Sequence, residues 1–120
     1  MEFHRLQDKL TEGQFVARRH YCITDKVLNF AEKEQLKIRK NNRKECPTLP
    51  DIFYQLIMEG LKHADKADFR KLPDNYKTRI KIGNPINAQL FEVQEKINKA
   101  ANIFSVAVCL MEAAIDNQTK

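Results

Sequence analysis

The thiol and imidazole side chains, which could bind a metal ion or act as nucleophile and base, are scattered along this chain. The cysteines are Cys22, Cys46 and Cys109, and the histidines are His4, His20 and His63. They form no CxxC pair and no His-x-x-x-His or His-Glu-x-x-His pattern. The sequence also has no glycine-rich phosphate loop, and no Ser or Cys shares a motif with a nearby His. We therefore expect no metal site, no cofactor, no disulfide framework and no catalytic activity.

The chemistry that the sequence does favour is electrostatic binding of a polyanion. The 120 residues include 21 Lys+Arg against 16 Asp+Glu, a formal net charge of +5. The basic residues cluster in three segments, which are Arg18-Arg19-His20, the run from Lys33 to Lys44, and Lys77, Arg79 and Lys81. Clusters of this kind fit nucleic-acid binding, but they also fit solvated faces of an ordinary basic protein.

The hydrophobic pattern of the first half of the chain predicts a strand and two helices. Residues 1–15 predict an N-terminal arm or short helix, and residues 16–23 a strand. Thr24 then caps a helix that runs to about Lys40. Thr48 caps a second helix, with a proline in its first turn and a carboxylate three residues after the cap.

The second half repeats this order. The polar stretch from Lys62 to Tyr76 leads to Lys77–Ile82, where basic and apolar residues alternate as in a half-buried strand. Asn84 caps the next helix, and Asn102 begins the last one. Two strand–helix–helix copies suggest that the strands pair with each other, because a lone strand leaves its backbone groups unsatisfied.

The predicted fold is therefore mainly α with a small two-stranded antiparallel β-ribbon, in a tandem pseudo-dimer. The predicted segments are an arm over 1–15, a first unit over 16–63, a linker over 64–75 and a second unit over 76–120, with both units in one domain.

Alternation along the paired strands would turn one basic face outward. That face holds Arg18, His20, Cys22, Lys77, Arg79 and Lys81. A slip of one residue in the first strand would replace Arg18, His20 and Cys22 on this face by Arg19 and Tyr21. A narrow basic ribbon fits the major groove of B-DNA. Thr48 and Asn102 complete the predicted DNA-binding set, because helix N-termini suit phosphates.

The quoted segments resemble the ribbon-helix-helix (MetJ/Arc) superfamily, whose members bind DNA through a β-ribbon. The resemblance is carried by Tyr21-Cys22-Ile23-Thr24-Asp25 and by Thr48-Leu49-Pro50-Asp51-Ile52 running on to Glu59-Gly60-Leu61, with Lys77–Ile82 and Asn102–Ile115 as the second copy. Two fused copies look like the TraY-type accessory proteins of conjugative relaxosomes. The resemblance implies sequence-specific binding of double-stranded DNA near an origin of transfer, with a relaxase as a further partner. Departures from the family pattern are Cys22, where a polar base reader is expected, and the long first interhelical turn.

Two other functions stay open at this point. A transcriptional repressor or antitoxin of the same fold would use the same basic face. A helical adaptor or inhibitor protein would use the strands only to close the fold. The longest nearly apolar run, Ile103 to Met111, is too short to cross a bilayer, and Met1 to Leu10 lacks an apolar signal region. We expect a cytoplasmic protein without membrane contact, a monomeric pseudo-dimer able to line up on adjacent DNA sites.

Overall fold

The computed structural model describes residues 3, 18–41, 43–70, 79–97 and 103–118, with the backbone alone for 18–22, 45 and 79–87. Its elements in chain order are β1 (Arg18–Cys22), α1 (Asp25–Asn41), a 3-10 turn (Arg43–Glu45), α2 (Leu49–Lys62), a second 3-10 turn (Ala64–Lys66), β2 (Arg79–Gly83), α3 (Asn84–Ile97) and α4 (Ile103–Gln118).

The core is built on the contact between α2 and α4. All residues from Asp51 to Ile57 in α2 are buried, as are all residues from Phe104 to Glu112 in α4. Burial over consecutive residues means that these helices are covered on every side, rather than along one amphipathic stripe. The two helices therefore form the centre of the molecule.

Gly60 allows α2 and α4 to approach this closely. A Cβ atom at Gly60 would lie 2.2 Å from the carbonyl oxygen and 2.7 Å from the carbonyl carbon of Leu110. Both atoms belong to the backbone of α4, so no side-chain rotation could make room for it. The contact requires a residue without a side chain.

The other two helices cover this pair unequally. The first, α1, packs against both α2 and α4, whereas α3 packs mainly against α4 and β2. Only Val27 and Ala31 of α1 are buried, with Leu28, Phe30 and Ile38 partly buried beside them. The two halves of the chain are thus not equivalent in their packing, although their elements follow the same order.

The strands β1 and β2 are five residues each and pair antiparallel along their backbones. The Cα partners are Arg18 and Gly83, Arg19 and Ile82, His20 and Lys81, Tyr21 and Ile80, and Cys22 and Arg79. This pair of strands lies beside α3 and α4.

The predicted fold class requires a correction. Helices account for 85% of the residues whose side chains are described, and none of those residues lies in a strand. The fold class is therefore helical, and the tandem ribbon-helix-helix pseudo-dimer with a β-ribbon as its defining element does not describe it. The prediction gave too much weight to the alternating basic and apolar residues. The core is instead formed by α2 and α4, whose central residues are buried on all sides.

Segments outside the main helices also reach the core. Phe3 is buried, and its ring meets that of Phe30 edge to face, with centroids 5.9 Å apart. The rest of the predicted arm over 1–15 lies outside the described residues. Within the predicted linker over 64–75, Phe69 is buried in the hydrophobic core. In the part of the chain that the structure describes, no helix is long and apolar enough to cross a membrane.

Candidate nucleic-acid interface

The pairing of β1 with β2 brings together most of the residues predicted to contact DNA. It includes Arg18, His20, Cys22, Arg79 and Lys81, and it makes His20 the direct partner of Lys81. Neither strand contains an Asp or Glu. Two of the predicted contacts, Lys77 and Asn102, lie outside the described residues.

The register limits direct repulsion between the strands. Arg18, Arg19 and Arg79 lie opposite Gly83, Ile82 and Cys22, so only His20 and Lys81 are two basic residues directly opposite each other. Like charges at such positions are destabilising, which here applies only when His20 is protonated. The phosphates of a bound polyanion would offset this repulsion and the net positive charge of both strands.

A second concentration of positive charge lies at the end of α1 and in the 3-10 turn after it. The exposed basic residues there are Lys33, Lys37, Arg39, Lys40, Arg43 and Lys44. The only carboxylate between Lys33 and Lys44 is Glu34, which forms an ion pair with Lys37 at 3.2 Å. Cations at a helix C-terminus also stabilise the helix dipole, so this cluster has a structural role whether or not it binds an anion.

The structure places Thr48 at the N-cap of α2, within a complete capping box. The amide of Asp51 donates to Thr48 Oγ1 at 3.3 Å, and the amide of Thr48 donates to Asp51 Oδ2 at 3.0 Å. The amide of Ile52 donates to the Thr48 carbonyl oxygen, and Pro50 has no N–H. A phosphate at this terminus would find little beyond the Leu49 amide and the Thr48 hydroxyl proton, and it would be repelled by the Asp51 carboxylate. The capping box thus weakens the case for an anion site here.

We expect Thr48→Ala to lower the free energy of unfolding by about 1 kcal/mol, because it removes the cap of a central helix. Its effect on affinity for DNA should be less than about twofold, since the first turn holds few free donors. Urea denaturation and duplex titration of the same preparation measure both quantities. A tenfold loss of DNA affinity with unchanged stability would show that Thr48 contacts DNA rather than caps α2.

Sequence reasoning missed a polar cluster around Glu112 in α4. Arg70 Nη2 lies 2.6 Å from Glu112 Oε2, and the Thr24 hydroxyl donates to Glu112 Oε1 at 3.5 Å. The Cys109 thiol donates to the carbonyl oxygen of Arg70 at 3.6 Å. The signal that could have revealed the cluster is Glu112 itself, a carboxylate within the apolar stretch of α4. A buried carboxylate needs a cationic or hydrogen-bonding partner.

Two pKa values in this cluster are displaced. The hydrogen bond to Glu112 raises the pKa of Arg70 above its ordinary value, and burial raises the pKa of the Cys109 thiol. Both shifts favour the arrangement seen, a guanidinium beside a carboxylate and a neutral thiol. Among the described residues, no group of three His, Cys, Asp or Glu side chains is placed to hold a metal ion.

Comparison with known proteins finds no matching family model, no similar curated protein and no similar solved structure. The ribbon-helix-helix resemblance therefore stays a prediction from the sequence.

Proposed function

We propose that this protein binds double-stranded DNA through its two basic strands. The observation that carries the proposal is the antiparallel pairing of β1 with β2, which joins two basic segments that contain no carboxylate. Segments of like charge repel each other, so a ligand that carries many negative charges would stabilise the strand pair most. DNA phosphates are such a ligand, and they dominate the affinity of proteins for nucleic acid.

The basic cluster at the end of α1 supports the proposal as a second contact with the DNA backbone. Arg39, Lys40 and Arg43 are exposed, and their charges could contact phosphates in addition to those bound by the strands. Contacts of this kind position a protein on the duplex, whereas sequence is read at the base edges.

The narrower role follows from the sequence resemblance alone. On that basis we propose that the protein is a relaxosome accessory factor that binds near an origin of transfer together with a relaxase. A transcriptional repressor or antitoxin would bind DNA through the same strands. A relaxase gene beside the gene for this chain would favour the first role.

The test uses fluorescence anisotropy with a mixed-sequence duplex and three double variants, each of which removes two positive charges. The variants are Arg79→Gln with Lys81→Gln in β2, Lys40→Gln with Arg43→Gln after α1, and Lys62→Gln with Lys66→Gln as the control. We expect the β2 variant to bind about tenfold or more weakly, and its salt slope to become shallower by about 1.8, because two phosphate contacts are lost.

The control variant shows whether affinity depends on where the two positive charges lie or only on the net charge of the protein. Lys62 and Lys66 are exposed and lie outside both basic segments, so their loss should weaken binding less than about threefold. If all three variants lose affinity equally, binding is non-specific attraction to a basic protein. If the wild type does not bind duplex DNA at all, the helical adaptor becomes the better account.

A further inference from the structure

We propose that residues 67–70, termed the strap, form a latch on α4 that the Arg70–Glu112 ion pair holds closed and that opens without unfolding the rest of the molecule. This inference does not depend on DNA binding. The latch controls access to the Cys109 thiol and to the Glu112 carboxylate.

Phe69 and Arg70 hold the strap against the core and α4. Phe69 is buried in the core, with 6% of its surface exposed. Arg70 reaches Glu112 at 2.6 Å, and its carbonyl oxygen accepts from the Cys109 thiol at 3.6 Å. The strap itself is not part of a helix or strand.

The two ends of the ion pair differ in their access to water. The side chain of Arg70 is 46% exposed, whereas that of Glu112 is 8% exposed. Salt and water can therefore weaken the pair from the Arg70 side, while the carboxylate stays beneath the strap. A contact of this kind is suited to local opening, because one partner can leave without disrupting α4.

Opening the strap would also affect the start of α1. Glu112 accepts from the Thr24 hydroxyl as well as from Arg70, and Thr24 lies two residues after the end of β1. Without Arg70, the Glu112 carboxylate keeps the Thr24 hydroxyl as a hydrogen-bond donor. Glu112 thus connects the strap, α4 and the entrance to α1.

The strap borders an open cavity of about 650 Å³. Its lining includes Lys26, His63, Lys66, Arg70, Cys109 and Glu112. A second ion pair, Lys26 with Asp116 at 2.8 Å, lies on the same side. Because both of its side chains are about half exposed, it provides a control that should not govern the latch.

The experiment measures how fast iodoacetamide alkylates each cysteine in the native full chain, with the sites resolved by peptide mass spectrometry. Cys46 is the internal reference, because it is also buried but lies far along the chain from the strap. In the wild type, we expect Cys109 to react about tenfold faster than Cys46, and its rate to depend only weakly on low concentrations of urea. Arg70→Gln should raise the Cys109 rate by about a further tenfold and leave the Cys46 rate unchanged.

The direction of this effect separates strap opening from a change in thiol chemistry. The charge of Arg70 lowers the pKa of Cys109, so its removal raises that pKa and by itself would slow alkylation. Faster alkylation must then come from better access. Arg70→Lys should restore much of the protection, and Lys26→Gln should leave it intact.

The proposal is overturned if Cys109 and Cys46 react at the same rate in every variant and both follow global unfolding. It is also overturned if Arg70→Gln slows alkylation of Cys109. Should Arg70→Gln fail to fold, raising the NaCl concentration in the wild type provides the second test. Selective acceleration at Cys109 supports the latch, and equal rates at both thiols exclude it.

Discussion

Gly60→Ala is expected to destabilise the protein by about 3 kcal/mol, at the upper end of what overpacking costs. The added Cβ would lie 2.2 Å from the carbonyl oxygen of Leu110, which is too close for any real pair of such atoms. Helices α2 and α4 would have to move apart along the contact that forms the centre of the core. Such a loss is a large part of the 5–15 kcal/mol that stabilises an ordinary domain.

The expected sign of this change is the reverse of the usual one for a helical glycine. In an exposed helix, replacing glycine by alanine gains about 1 kcal/mol, because alanine is the better helix former. Urea denaturation followed by circular dichroism measures the difference, with Lys62→Ala in the same helix as control. Lys62 is 71% exposed, so its replacement should change stability by less than about 0.5 kcal/mol. A Gly60→Ala protein as stable as the wild type would contradict the close contact between α2 and α4.

Phe69→Ala is expected to lower the free energy of unfolding by about 3–4 kcal/mol, which is typical of a large buried aromatic side chain. The ring leaves a cavity at the edge of the core, and the strap loses its apolar anchor. We expect faster alkylation of Cys109 in this variant as well, because the Arg70–Glu112 pair would have to hold the strap without the buried ring of Phe69.

The control for Phe69→Ala is Lys66→Ala, an exposed position in the adjoining 3-10 turn. It should be nearly neutral for stability. If Phe69→Ala is also nearly neutral, the segment after α2 is a simple linker, as its polar sequence suggests. The same outcome would remove the apolar anchor on which the latch depends.

The sequence predicted most accurately the features that are specified locally. The start of α2 follows from a threonine, a proline and a carboxylate at fixed spacing, and the capping box confirms it. The four long helices were also expected, because their apolar residues recur at helical intervals. Short-range chemistry of this kind does not depend on what packs against the helix.

The remaining features depend on contacts between distant residues. Periodicity identified an apolar stripe on α2 but not the burial of every residue from 51 to 57, which arises only when other segments cover the outer side of that stretch. Gly60 was part of the predicted helix signature, yet its role depends on the backbone of α4, fifty residues away in sequence. Phe69 and Arg70 lay in a polar stretch without periodicity, so no local pattern distinguished them from a linker.

The predicted DNA-binding residues illustrate both cases. The equivalence of the two halves was inferred from the order and spacing of their elements. Packing differs between α1 and α3, so equal order did not produce equal surroundings. For Thr48, the same residue type serves as a helix cap and as a phosphate contact, and only the hydrogen bonds of the capping box favour the first.

The salt dependence of binding to duplex DNA tests the central claim most directly. Three permanently charged residues share one face of the paired strands by register and alternation, namely Arg18, Arg79 and Lys81. If each neutralises one phosphate, the logarithm of the affinity should fall against the logarithm of the salt concentration with a slope of about −2.7 from the strands. A slope flatter than about −1 would mean that at most one phosphate is neutralised, and it would contradict DNA binding by these strands.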